Sequence, residues 1–199
     1  MYNLGVSGET SNEIALRQGG IKMYADNTFE VGYDDSVEIS IIDEYGNPVY
    51  MADFSAYGYV EPHESDVVYI NDDMFKITGT EETGLYICRY SEEEDVYDAF
   101  TTVYEGTQIV TKASHERKND ILILEIGSNG GWDNYRQLIS QYDAMIQNAG
   151  CDYFIIVGDT DDPGTSIADT AQGFRNDDGT YVRVGDTAWE ATLREAYGE

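Results

Sequence analysis

The stretch from Asn119 to Trp132, NDILILEIGSNGGW, constrains the fold of this chain more than any other. Ile121, Leu122, Ile123, Leu124 and Ile126 run almost without a break and stop at Gly127-Ser128-Asn129-Gly130-Gly131. A short continuous apolar run suits a strand buried on both faces, as in a parallel sheet covered by helices. The glycine-rich stop suits a tight exit from the sheet edge. Ligands of open α/β sheets collect beyond the carboxyl ends of the strands, which puts Asn129, the one amide side chain of the loop, where a substrate would sit.

Residues 133–158 strengthen the strand assignment. Asp133 or Asn134 can cap a helix whose apolar positions Tyr135, Leu138, Ile139, Tyr142, Met145, Ile146 and Ala149 recur at three- and four-residue spacing. Gly150 ends it in the position that favours a left-handed residue. A second apolar run, Tyr153 to Val157, then stops at Gly158. Strand, helix and strand in so few residues spell a βαβ unit.

Charge narrows the partners. The formal net charge of −28 argues against nucleic acid and anionic membranes, both of which require basic surface. No apolar run has the length of a membrane span. Residues 1–20 lack the basic start and apolar core of a secretory signal, and the compartment stays open. Cys88 and Cys151 are too few for a disulfide scaffold and lack metal-ligand spacing, so both are expected as buried thiols. No cofactor or metal motif is present.

At the amino end, Thr10-Ser11-Asn12-Glu13 has the T-x-x-E spacing of a capping box and predicts a helix that stops at Gly19-Gly20. Its free N–H groups would point at the turn Gly5–Gly8, an end that favours negative charge. From Lys22 to about Lys112 the helical period disappears. Short runs rich in Val, Ile, Thr, Tyr and Phe, such as Val37 to Ile42, Val67 to Ile70 and Leu85 to Tyr90, alternate with turn clusters. That pattern predicts a β-rich segment, a sandwich or small barrel. It is strongly acidic, with Lys76 and Arg89 the only cations between Tyr24 and Glu105. Its tyrosines suit either half-buried strands or a sugar-binding face, and the acid runs Asp34-Asp35 and Glu92 to Asp95 read as solvated faces rather than calcium loops. The basic stretch Lys112 to Lys118 reads as a linker back to the α/β part, and a final helix is expected from Thr187 to Tyr197.

Two pieces come together in this order: an N-x-G-x-x-G turn opening a helix (Asn3, Gly5, Gly8), and a strand ending G-x-N (Gly127, Asn129). The pairing resembles the SGNH/GDSL hydrolase superfamily. N-L-G-V-S-G-E-T-S looks like the second conserved block of that superfamily and I-G-S-N-G-G like its third. The likeness is closest to bacterial members with a β-rich insertion between an ETS…RQGG helix and an RKNDI…NGGW return. It covers about residues 1–20 and 113–199.

The resemblance implies a flavodoxin-like three-layer α/β/α core, residues 1–20 with 113–199, interrupted by a β-rich acidic insert at 21–112. It implies ester hydrolysis through a serine nucleophile, acting on a small ester or an acylated carbohydrate without a cofactor. Gly8 would offer its backbone N–H and Asn129 its side-chain amide to the oxyanion, with Ser7, Glu9, Gly130 and Trp132 lining the substrate. Fixed donors aimed at charge that develops only in the transition state lower the barrier by roughly 3 kcal/mol each.

The departures are specific. The family's G-D-S block with the nucleophile and its D-x-x-H block with the base have no counterpart in residues 1–199, as expected of a fragment of a longer hydrolase. Gly158-Asp159-Thr160 comes after the G-x-N strand, the wrong order, and Gly185-Asp186-Thr187 has no apolar strand before it. Little or no esterase activity is therefore expected of this chain alone. The alternative is a non-catalytic protein, a carbohydrate binder working through the Tyr-rich β segment or an assembly protein that self-associates.

Overall fold

A computed structural model of the chain describes residues 9–32, 35–50, 66–91, 100–127, 129–157, 173–175, 177–178, 181–183 and 188–198. In chain order these form α1 (Ser11–Arg17), β1 (Met23–Ala25), β2 (Phe29–Val31), β3 (Ser36–Ile39), β4 (Ile41–Asp43), β5 (Val67–Ile70), β6 (Asp73–Thr80), β7 (Gly84–Arg89), β8 (Thr101–Val103) and β9 (Gln108–Thr111). Then come α2 (Lys112–Glu116), β10 (Leu122–Leu124), α3 (Tyr135–Ala149), β11 (Phe154–Ile156), β12 (Gly173–Arg175), β13 (Tyr181–Arg183) and α4 (Ala188–Tyr197).

Seven of these strands form one antiparallel sheet in the order β3-β7-β6-β5-β9-β1-β4. Its two edges, β3 and β4, are consecutive in the chain and separated only by Ser40. A single residue cannot cross the width of a flat sheet, so the edges meet and the sheet curls into a nearly closed barrel. Ser40 is held at that corner by its neighbours: its N–H donates to Asn27 Oδ1 at 3.2 Å and its carbonyl accepts from the Asp26 N–H at 2.9 Å. The sequence predicted one strand from Val37 to Ile42, and this corner divides it. The hairpin β5–β6 turns on Asn71 and Asp72, both at positive φ, the geometry of a two-residue type I′ turn. Inside the barrel sit Met23, Val68, Ile70, Phe75, Ile87 and Ile109, each almost wholly removed from water.

The flavodoxin-like three-layer α/β/α core is corrected by this architecture. Strand outweighs helix, and the largest sheet is antiparallel. Parallel pairing among the described strands is confined to β10 and β11, in the register Leu122↔Phe154, Ile123↔Ile155, Leu124↔Ile156, with α3 between them in the chain. The further parallel strands that such a core needs beside this pair are not formed by the described residues. Nor is β10 buried on both faces. Leu124 is buried and Leu122 and Ile156 pack on the same core, but Ile123 is 49% and Ile155 52% exposed.

The helix α3 matches its sequence signals. Asn134 caps it through the Gln137 N–H, and Gly150 closes it at φ 62. Its buried face carries Leu138, Tyr142 and Met145, which pack with Leu124, Ile126, Ala15 and Trp189 of α4. The basic stretch expected as a linker is instead partly the short helix α2, capped by Thr111 accepting from the Ser114 N–H. Cys88 and Cys151 are free and only half-buried, and burial pushes the Cys88 thiol above its ordinary pKa. No helix among the described residues is long and apolar enough to cross a membrane.

Candidate functional site

The chain leaves β10 through Glu125 and Ile126 and enters the glycine-rich loop. The buried Tyr142 hydroxyl of α3 fastens this exit, donating to the Ile126 carbonyl at 3.1 Å. The loop then folds on itself: the Gly127 carbonyl accepts from the Gly130 N–H at 3.2 Å and from the Trp132 indole N–H at 3.0 Å. Asn129 is carried at the tip of this turn.

The loop docks on the start of α1. The Ser11 N–H donates to the Gly130 carbonyl at 2.9 Å, and Asn129 Nδ2 donates to the Glu9 carbonyl at 3.1 Å. Gly131, at φ 85, lies so close that a Cβ there would be 2.9 Å from both the Ser11 nitrogen and Thr10 Cβ. Only glycine satisfies both the backbone angle and the approach. Gln141 of α3 ties the two pieces together, its amide donating to Asn12 Oδ1 and, at 3.1 Å, to the Gly131 carbonyl. The first turn of α1 is independently fixed by the Thr10/Glu13 capping box.

Asn129 brings two amide hydrogens, one of which donates to Glu9. The other has no hydrogen-bond partner among the described residues. Asn129 is exposed, whereas two polar atoms at the junction, Ser11 Oγ and Gln141 Oε1, are buried with no partner among the described residues. A buried polar atom left unpaired costs about 1–3 kcal/mol, which a water bound at the junction would offset.

Of the residues predicted to line a substrate, Glu9 and Gly130 meet at this junction, and Trp132 lies just beyond it. Glu9 points its carboxylate away into the protein: it is 3% exposed and paired with Arg17 of α1, with Arg17 Nε on Oε1 at 3.1 Å and Nη2 on Oε2 at 2.5 Å. Trp132 is half-buried and stacks on Tyr135 and Trp189, with ring centroids 5.4 and 6.3 Å away. Ser7 and Gly8 fall outside the described residues, as do the Gly158–Thr160 and Gly185–Thr187 stretches, Asp34 and the acid run at 92–95, while Asp35 is exposed. His115 stacks on Tyr69 at 4.3 Å, between β5 and α2, away from this loop. No group of acids, histidines and cysteines able to hold a metal occurs among the described residues.

Sequence reasoning missed Arg17 and Gln141. Both are buried polar residues on helices, and the signal for each was present: Gln141 falls on the apolar face of α3 beside Tyr142, and Arg17 lies two turns after Glu9. A concavity lies elsewhere, between β11 and α4, lined by Phe154, Ile156, Leu193 and Tyr197. There the Tyr197 hydroxyl donates to Asp143 at 2.8 Å. Burial, and then the adjacent carboxylate, push Tyr197 well above the ordinary tyrosine pKa.

Comparison with protein-family models, with curated proteins and with solved structures finds no match to this chain.

Proposed function

We propose that the chain carries the oxyanion-binding part of an SGNH/GDSL-type ester hydrolase, with Asn129 as its side-chain donor and Gly8 as its backbone donor. One observation carries this: the amide of Asn129 is fixed at 3.1 Å on the carbonyl of Glu9, the residue bonded to Gly8. The two sequence blocks behind the resemblance therefore share one junction. A single hydrogen bond locks the orientation of the amide and leaves its second N–H to donate, the arrangement an oxyanion donor needs. The barrel-like sheet is no part of that chemistry, and the nucleophile and base of the family are not supplied by residues 1–199. A small acyl ester or an acylated carbohydrate is the proposed substrate class.

Acetate, a small carboxylate oxyanion, tests this in the chain as it stands. At constant ionic strength, which screens the −28 charge, the side-chain amide signals of Asn129 are expected to shift saturably. The Asn129→Ala chain is expected to lose saturable binding as judged from neighbouring amides. Shifts that are linear in acetate and alike in both chains would exclude an oxyanion site.

A second reading has an observation of its own. Tyr45, Phe100 and Tyr104 are largely exposed on the β-rich part, as the aromatics of a sugar-binding face would be. Selective binding on a glycan array, unchanged by Asn129→Ala, favours a carbohydrate-binding protein instead.

A further inference from the structure

The Glu9–Arg17 pair is the most completely buried ion pair among the described residues, with 1% and 4% of the two side chains exposed. Burying two charges costs several kcal/mol each unless the geometry offsets it, so such a pair is a weak source of stability alone. Its position suggests what it is for. Glu9 is the residue whose carbonyl holds Asn129 Nδ2, and its own side chain is gripped through two N–H groups of one guanidinium. A two-point grip of this kind fixes direction as well as distance. Arg17 is in turn held from behind: its carbonyl accepts from Thr111 Oγ1 at 2.5 Å, where β9 ends, and the next carbonyl, of Gln18, accepts from Asn148 Nδ2 of α3 at 2.9 Å.

We propose that Arg17 is the positioning residue of the Asn129 site. Through Glu9 it sets the carbonyl that aims the amide, and it anchors that setting to the barrel at Thr111 and to α3 at Asn148. The inference rests on the oxyanion reading above. It assigns Glu9 a new part, gripping from within rather than touching substrate. A donor must be held to within a fraction of an ångström to act on a developing charge, and Asn129 sits on a loop rich in glycine. The rigidity has to come from the side on which the loop rests.

The test tracks the Arg17 Nε–H and the Asn129 amide together through an acetate titration of the full chain, with resonances assigned. Arg17 is expected to shift with the same midpoint as Asn129, because moving the amide moves the carbonyl and the side chain behind it. Saturation of Asn129 with Arg17 unmoved overturns the inference and leaves the site standing. If neither responds, the site itself is wrong and the inference falls with it. The double variant Glu9→Gln/Arg17→Met removes both charges while keeping volume, and is expected to fold, as read by circular dichroism, but to bind acetate roughly tenfold or more weakly. A folded double variant with unchanged acetate affinity also overturns the positioning role.

Discussion

Asn129 and Glu9 lie 120 residues apart in the chain, and the amide of the first donates to the backbone carbonyl of the second at 3.1 Å. The contact is local to one loop and one helix start, yet β1 through β9 all lie between the two residues in sequence. The barrel thus returns the chain to the place where it entered. Thr111 marks the return, since it both ends β9 and donates to the carbonyl of Arg17.

Gly131→Ala tests the docking. At φ 85 with a Cβ 2.9 Å from backbone of α1, the substitution forces the loop off the helix and is expected to cost about 2–4 kcal/mol. Gly130→Ala is the control, since its φ of 81 is equally unfavourable but nothing lies within 4 Å of its Cβ. It is expected to cost only about 1–2 kcal/mol. Denaturant midpoints at unchanged slope compare the two. Equal losses would mean that the loop does not touch α1.

The two faces of β10 are expected to respond differently. Leu124→Ala, at a buried position, should cost about 2–5 kcal/mol. Ile123→Thr, one residue earlier and half-exposed, should change stability by no more than about 0.5 kcal/mol. A large loss at Ile123 would show that something covers that face in solution.

Alkaline pH bears on α4. Because the folded-state pKa of Tyr197 is raised, folded and unfolded chains bind the same proton below the ordinary tyrosine value of 10.0. Above it the unfolded chain ionises first, so stability falls as pH rises from there toward the folded pKa. Tyr197→Phe removes this contribution and is expected to flatten the alkaline limb of a plot of unfolding free energy against pH. It also loses the bond to Asp143 at neutral pH. An alkaline limb of identical slope in both chains would contradict the assignment.

What the sequence disclosed depended on whether a signal was periodic. Helix α3 announced its face and both its ends because Leu138, Tyr142 and Met145 repeat and Asn134 and Gly150 punctuate them. The capping box of Thr10 and Glu13 was equally plain. A continuous run such as Ile121 to Leu124 has no period, so it could not reveal that Ile123 faces out while Leu124 faces in. The corner at Ser40 was hidden for the same reason, inside an unbroken β-forming stretch. The three-layer core rests on the family resemblance of residues 1–20 and 113–199, whereas the described residues there form a single parallel strand pair and most strands belong to the antiparallel barrel. In the site, Asn129 stood out as the one amide among glycines. Arg17 did not, because a cation on a short helix usually faces water, and only the folded chain shows the carboxylate that receives it.

The most direct measurement is the set of nuclear Overhauser contacts made by the Asn129 side-chain amide protons in the full chain. Cross-peaks to the backbone protons of Glu9 and Thr10, lost in Gly131→Ala, are the expected result. An assigned Asn129 amide with contacts only to its own loop, and none to the start of α1, would contradict the shared junction and the oxyanion site built on it.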